Sequence, residues 1–369
     1  MSIDTQADRT DPTARTSTAG TADRQAALDR HVAPKPEPPP RRDAFLDNAK
    51  FLTVALVVVG HVWNNLRDLP GVEAGYLWLY LFHMPALVVV TGYLSRSSTT
   101  LTPRRAQHIV GAVLVPYLVF QAAYGVLADR AGIDPAEPGL VSPAWLMWFL
   151  AALACWRLTA AVWQHMRAPV VAAVLLSLLG GATSAGELAL TQVLGLLPFF
   201  VLGLCLRPHH VDWLRRRAVR AGATVVLAGA GIACYLAAPL SDRDMEWVYW
   251  RSSYAELGLG LLDGALLRLG LLAAGLVLAA AFLALVPRRR TWFTALGAHT
   301  MYAYLLHGFL VLAAIGTGVF DLPVFRTSAG AVLLTVLAAV VAGALMTQPV
   351  RRATRPLVQP DVRALWRDP

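Results

Sequence analysis

Residues 45–66 read F-L-D-N-A-K-F-L-T-V-A-L-V-V-V-G-H-V-W-N-N-L, an apolar stretch interrupted by a few polar side chains. Its length is close to the ~20 residues that carry a helix across ~30 Å of hydrocarbon. A backbone facing lipid has to satisfy its own hydrogen bonds, and the ten-residue alternation of a membrane barrel is missing, so the stretch reads as a helix. Segments of the same kind recur at 76–95, 106–128, 143–163, 168–186, 188–206, 219–239, 260–286, 297–317 and 328–347. The sequence therefore predicts an all-α polytopic membrane helix bundle of about ten transmembrane helices.

The composition agrees. The 369 residues are 56% hydrophobic and 15% charged, with a mean hydropathy of +0.52. Soluble chains average about a quarter charged, and so large a deficit excludes a disordered protein, a coiled coil or a disulfide-stapled secreted module. Only Lys35 and Lys50 are lysines, and neither follows the glycine pattern of a phosphate-cradling loop. Cys155, Cys205 and Cys234 all lie in apolar runs, where a thiol behaves as a small hydrophobe.

The net charge of +9 has a place along the chain. One set of loops holds Arg96, Arg104 and Arg105, then Arg167, then Arg207, Arg215, Arg216, Arg217 and Arg220, then Arg288, Arg289 and Arg290. The alternate loops are poor in Arg and carry Asp68, Glu73, Asp134, Glu137, Glu187, Asp242, Asp244 and Glu246. By the positive-inside rule the first set is cytoplasmic and both termini are inside. The cations therefore report orientation in the plasma membrane, and no nucleic-acid partner is expected. Three regions follow: a disordered cytoplasmic tail at 1–44, a membrane domain at 45–350, and a basic cytoplasmic tail at 351–369.

Ionisable groups inside spans are costly and mark function. On the first helix Lys50 and His61 are eleven residues apart, which puts them on one face about 16 Å apart along the axis. Asn64 and Asn65 extend that face toward the outer mouth. His83, on the second helix, comes to a similar depth as His61, so the two imidazoles are placed to face each other. His307, Arg268 and Trp148 are further polar groups within spans, and with Asn64 and Asn65 they are the candidates for contact with a substrate. No His pair stands at i and i+4 on any helix, so no metal site is expected.

The chain resembles the acyltransferase 3 family of integral membrane acyltransferases, specifically its fucose 4-O-acetylase-like branch. The resemblance is carried by R-D-A-F-L-D-N-A-K-F-L-T-V-A-L-V-V-V-G-H from Arg42 to His61 and L-F-H-M-P-A-L-V-V-V-T-G-Y-L-S-R from Leu81 to Arg96. It continues in P-R-R-A-Q-H-I-V-G-A-V-L-V-P-Y from Pro103 to Tyr117, W-F-L at Trp148, L-P-F-F-V-L-G from Leu197 and Y-L-L-H ending at His307. It implies transfer of an acyl group, commonly acetyl, from acyl-CoA to a hydroxyl of an extracytoplasmic or membrane-linked carbohydrate, such as a glycolipid. His61 would be the catalytic histidine, Lys50 the cation paired with it by spacing, and Arg104 and Arg105 the basic residues that handle the donor. The family's commonest cation at the first position is Arg; a lysine there offers a point charge and no forked grip.

The residues support a compatible mechanism. A sugar hydroxyl attacking a thioester needs a base near neutrality, which suits a histidine. His61 accepts the proton or is itself transiently acylated, His83 assists, and His108 joins Arg104 and Arg105 at the donor's phosphates. Acetyl-CoA is expected as a substrate, with no permanently bound cofactor. A transporter or flippase of a glycan or small metabolite is the alternative, since buried polar groups also line substrate paths. It is disfavoured because the second half lacks a counterpart of the histidines in the first.

Overall fold

The structure is a computed structural model that describes residues 43–69, 71–97, 99–130, 142–183, 189–238 and 242–362. The expected tail, up to residue 42, and the acidic Asp134, Glu137 and Glu187 lie outside the described residues.

Among the described residues, eight helices are long and apolar enough to cross a membrane. They are α1 (Ala44–Leu66), α2 (Val72–Ser95), α3 (Pro103–Leu127), α4 (Trp145–His165), α7 (Arg217–Ala237), α8 (Leu261–Leu285), α9 (Leu296–Gly316) and α10 (Ser328–Leu345). Two shorter apolar helices, α5 (Pro169–Gly181) and α6 (Leu190–Cys205), occupy the places of the expected spans 168–186 and 188–206. At 13 and 16 residues they fall short of a full crossing. Hydropathy overstated α5 because its apolar run continues into Ala182, past the helix end at Gly181.

Local chemistry sets several of these ends. Thr102 caps α3, its Oγ1 accepting from the Arg105 backbone N–H at 3.3 Å, and Pro103 fills the first turn, where no donor is needed. Thr327 caps α10 in the same way through the Gly330 N–H at 3.0 Å. Within α3 a π-helical turn at Val110–Leu114 receives Val362 from beyond the last helix, Gln348–Val358. That helix buries Val358 completely, so the basic tail begins as a packed element.

α2 lies closest to α6, and their meeting point is a glycine pair. A Cβ added to Gly92 would stand 2.1 Å from the Phe200 carbonyl oxygen, and one on Gly203 would stand 2.3 Å from that of Val89. α1 packs against α2, α9 and α10. At its Lys50 end, the fully buried Asn48 donates to the carbonyls of Pro287 (2.8 Å) and Arg289 (3.0 Å) and accepts from Thr291 (3.2 Å) and Thr294 (2.7 Å). Near its His61 end, Trp63 Nε1 donates to Thr335 Oγ1 of α10 at 2.7 Å, and Arg326 forms an ion pair with Asp68.

Such links relate the loops to one another. Asp68 and Arg326 belong to two Arg-poor loops, and Gln192 at the start of α6 donates to the Tyr249 carbonyl of a third at 3.1 Å. Arg288 donates to the Val211 carbonyl at 2.8 Å, joining two Arg-rich loops, as Asn48 joins the chain's entry to one of them. Each bond ties segments that the charge pattern assigns to a common side.

Candidate active site

α1 starts with Asp47 in its first turn, at the positive end of the helix dipole, and delivers His61 in the last turn of its α-helical part. His61 Nδ1 lies 2.8 Å from His307 Nε2 of α9. The ring planes are within 18° of parallel and the centroids 5.0 Å apart, so the rings meet edge to edge and the bond runs near both planes. His307 is fully buried, and its Nδ1 is 2.8 Å from the Ala303 carbonyl oxygen one turn back.

That carbonyl can only accept, which fixes the order of protons. His307 Nδ1–H donates to Ala303, and in the neutral pair its Nε2 accepts from His61 Nδ1–H. The remaining nitrogen of His61, Nε2, keeps its lone pair. His61 is half-buried and His307 is enclosed, so among the described residues the arrangement presents one free imidazole nitrogen backed by a second imidazole.

A wall stands beside the pair. The Trp145 ring lies 4.8 Å from the His61 ring, tilted by 31°, and 6.3 Å edge-on from that of Tyr124. Trp145 opens α4 with a φ of 39°, a left-handed conformation that a bulky side chain rarely adopts. Its flanks are held from two other helices. Gln121 of α3 donates to the Ser142 carbonyl and accepts from the Ala144 N–H, both at 2.8 Å, and Tyr304 Oη of α9 donates to the Leu146 carbonyl. Tyr124 Oη donates to the Leu305 carbonyl at 2.6 Å across a contact that Gly308 keeps open, since a Cβ there would stand 2.4 Å from that hydroxyl.

Other expected residues distribute as follows. Asn65 Nδ2 donates to the His61 carbonyl at 2.9 Å. Asn64, Asn65, Arg67, Asp68 and Glu73 line a polar recess of about 330 Å³ just beyond the histidine. His83 is buried, its Nδ1 2.8 Å from the Leu79 carbonyl of its own helix and its ring edge-on to Tyr80 at 4.7 Å. Lys50 Nζ is paired with Asp47 at 2.8 Å, one turn back at the opposite end of α1. Arg268 is buried between α8 and α5, where it donates to the Ser177 carbonyl at 2.7 Å and lies near the rings of Trp250 and Tyr254. Trp148 is half-buried and edge-on to Phe149 at 5.9 Å.

At the Arg-rich side, Arg104 and His108 are exposed. Arg105 spans its own loop, donating to the carbonyls of Thr100 (2.5 Å) and Ser97 (2.9 Å). Ser97 in turn lines a recess of about 630 Å³ shared with Arg96, Trp163, Cys205 and Arg207.

Sequence reasoning named His307 as a substrate contact and missed it as the partner of His61. It passed over Trp145 and Gln121. The one signal for Trp145 was a second tryptophan three residues before Trp148, at the same helix entry.

Among known proteins, the acyltransferase-domain family of acyltransferase 3 type matches residues 43–347, a range that takes in all ten apolar helices. No curated protein and no solved structure matches the chain.

Proposed function

Because the chain belongs to the acyltransferase 3 family of multi-pass membrane enzymes, we propose that it moves an acetyl group from cytoplasmic acetyl-CoA to a hydroxyl of an extracytoplasmic or membrane-linked carbohydrate, in the manner of the fucose 4-O-acetylase-like branch. The observation that carries this reading is the free Nε2 of His61 at the end of the chain His61–His307–Ala303.

In this mechanism the acceptor hydroxyl oxygen attacks the thioester carbon while its proton passes to His61 Nε2. His307 Nε2, already accepting from His61 Nδ1–H, supports the imidazolium that forms, as an aligned acceptor does in a catalytic triad. The tetrahedral intermediate collapses with cleavage of the C–S bond, and the CoA thiolate takes the proton back from His61. One ester and one thiol result, with no redox change.

The Arg-rich loops face the cytoplasm, with both termini, in keeping with the positive-inside rule. Arg104 and His108 hold donor phosphates there, and Arg105 shapes the rim of the recess at Ser97 through its two carbonyl bonds. The acidic, amide-rich recess at Asn64 and Asn65 takes the hydroxyls of the acceptor. Lys50 serves as a charge-balanced anchor with Asp47 on the donor side of α1.

The test is incubation of membranes with labelled acetyl-CoA, following label into the glycan fraction. Loss of transfer in His61→Ala by at least about 10²-fold is expected. Transfer at the wild-type rate without His61 would remove the central claim, and unchanged donor KM in Arg104→Ala would remove the donor assignment.

A further inference from the structure

Trp145 occupies an unusual position for a tryptophan at a helix entry. A side chain that only anchors the protein at the membrane interface has no need of a strained backbone, and interfacial tryptophans are otherwise the expected reading here. Trp145 instead sits at a φ of 39°, and strain of this kind persists only where the surroundings over-determine it. The surroundings do so: Gln121 fixes the backbone on one side at Ser142 and Ala144, and Tyr304 fixes it on the other at Leu146. Tyr304 is itself one turn before His307 on α9. The same helix therefore aligns the histidine pair and sets the tryptophan.

The result is a tryptophan 42% exposed, its ring lying 4.8 Å from the His61 ring. The imidazole whose Nε2 has no partner among the described residues lies against it, and the polar recess lined by Asn64 and Asn65 begins one turn further along α1. A flat aromatic surface beside His61, with amides and carboxylates a helical turn further along α1, matches the two faces of a sugar, with C–H groups on one side and hydroxyls around the edge.

We propose that Trp145 is the stacking platform for the pyranose ring of the acceptor and holds the attacking hydroxyl at His61. This assignment rests on the function proposed above and names a positioning residue that acts by binding.

The experiment uses the full-length protein in membranes with labelled acetyl-CoA and two classes of acceptor probe: a panel of methyl pyranosides, and glycerol, which has hydroxyls but no ring face. Trp145→Ala is expected to raise the half-saturating pyranoside concentration about tenfold. The KM for acetyl-CoA should stay as in the wild type, and any transfer to glycerol should fall less than transfer to the pyranosides. Trp145→Phe should recover most of the loss. Trp145→Gly, whose backbone takes a positive φ without strain, should behave like Trp145→Ala and keeps the test valid if alanine disturbs folding. Equal losses toward pyranosides and glycerol, unchanged pyranoside saturation in both variants, or a wild type that acylates glycerol and no pyranoside would each overturn the proposal. Absence of any His61-dependent transfer would instead defeat the acyltransferase mechanism itself, a separate outcome.

Discussion

At the scale of single residues, the proposed mechanism turns on which nitrogen of His61 is left free, and that is decided on another helix by His307. Its role can be separated from simple packing. His307→Ala removes the acceptor of the His61 Nδ1–H and is expected to lower kcat by about 10²-fold with little change in either KM. His307→Gln keeps an acceptor oxygen and should restore part of the rate, so equal rates for the two variants, measured at matched protein levels, would contradict the role. The sequence exposed His61 because an ionisable group within a span is rare. It also singles out His83, whose Nδ1 lies 2.8 Å from the Leu79 carbonyl of its own helix, as His307 Nδ1 does from that of Ala303. The hydrogen-bonded partner of His61 lies 246 residues away in the chain, a distance that no local pattern bridges. The role proposed for Trp145 was hidden for a different reason: it rests on a backbone angle and on bonds from Gln121 and Tyr304, none of which leaves a periodic trace.

At the scale of elements, hydropathy located the ten apolar segments to within a few residues at most ends, as for 45–66 against Ala44–Leu66 and 328–347 against Ser328–Leu345. It did not reveal the short helices Pro208–Trp213, Asp242–Tyr249 and Gln348–Val358, which are too short or too polar for a span criterion. Glycines show where elements must touch. Gly203→Ala places a methyl against the backbone of α2, where the carbonyl has no room to yield, and should lower stability in detergent by about 2 kcal/mol. Gly229→Ala in α7, where nothing lies within 4 Å, is the matched control and should be neutral or stabilising by up to ~1 kcal/mol. Thermal unfolding of the two purified variants checks both signs, and a Gly203→Ala protein as stable as the control would mean that α2 and α6 are less tightly apposed.

At the scale of the whole molecule, hydrogen bonds join several loops pairwise without saying which side is inside; the proposed orientation takes that from the charge pattern. Cys205, exposed at the end of α6 beside Arg207, provides a handle. A membrane-impermeant maleimide should modify it in inverted vesicles and leave it untouched in intact cells, and the reverse result would invert the orientation. The fastening of α1 has a mechanical meaning as well. Four hydrogen bonds hold Asn48 at one end, and Trp63 with the Arg326–Asp68 pair holds the other. A carrier that rocks its halves to open alternately on two sides would have to undo such clasps whenever α1 moved against them. An enzyme can leave α1 standing as a fixed post, so that the distance across the bilayer is covered by the long, supple arm of the donor while the imidazole stays in place.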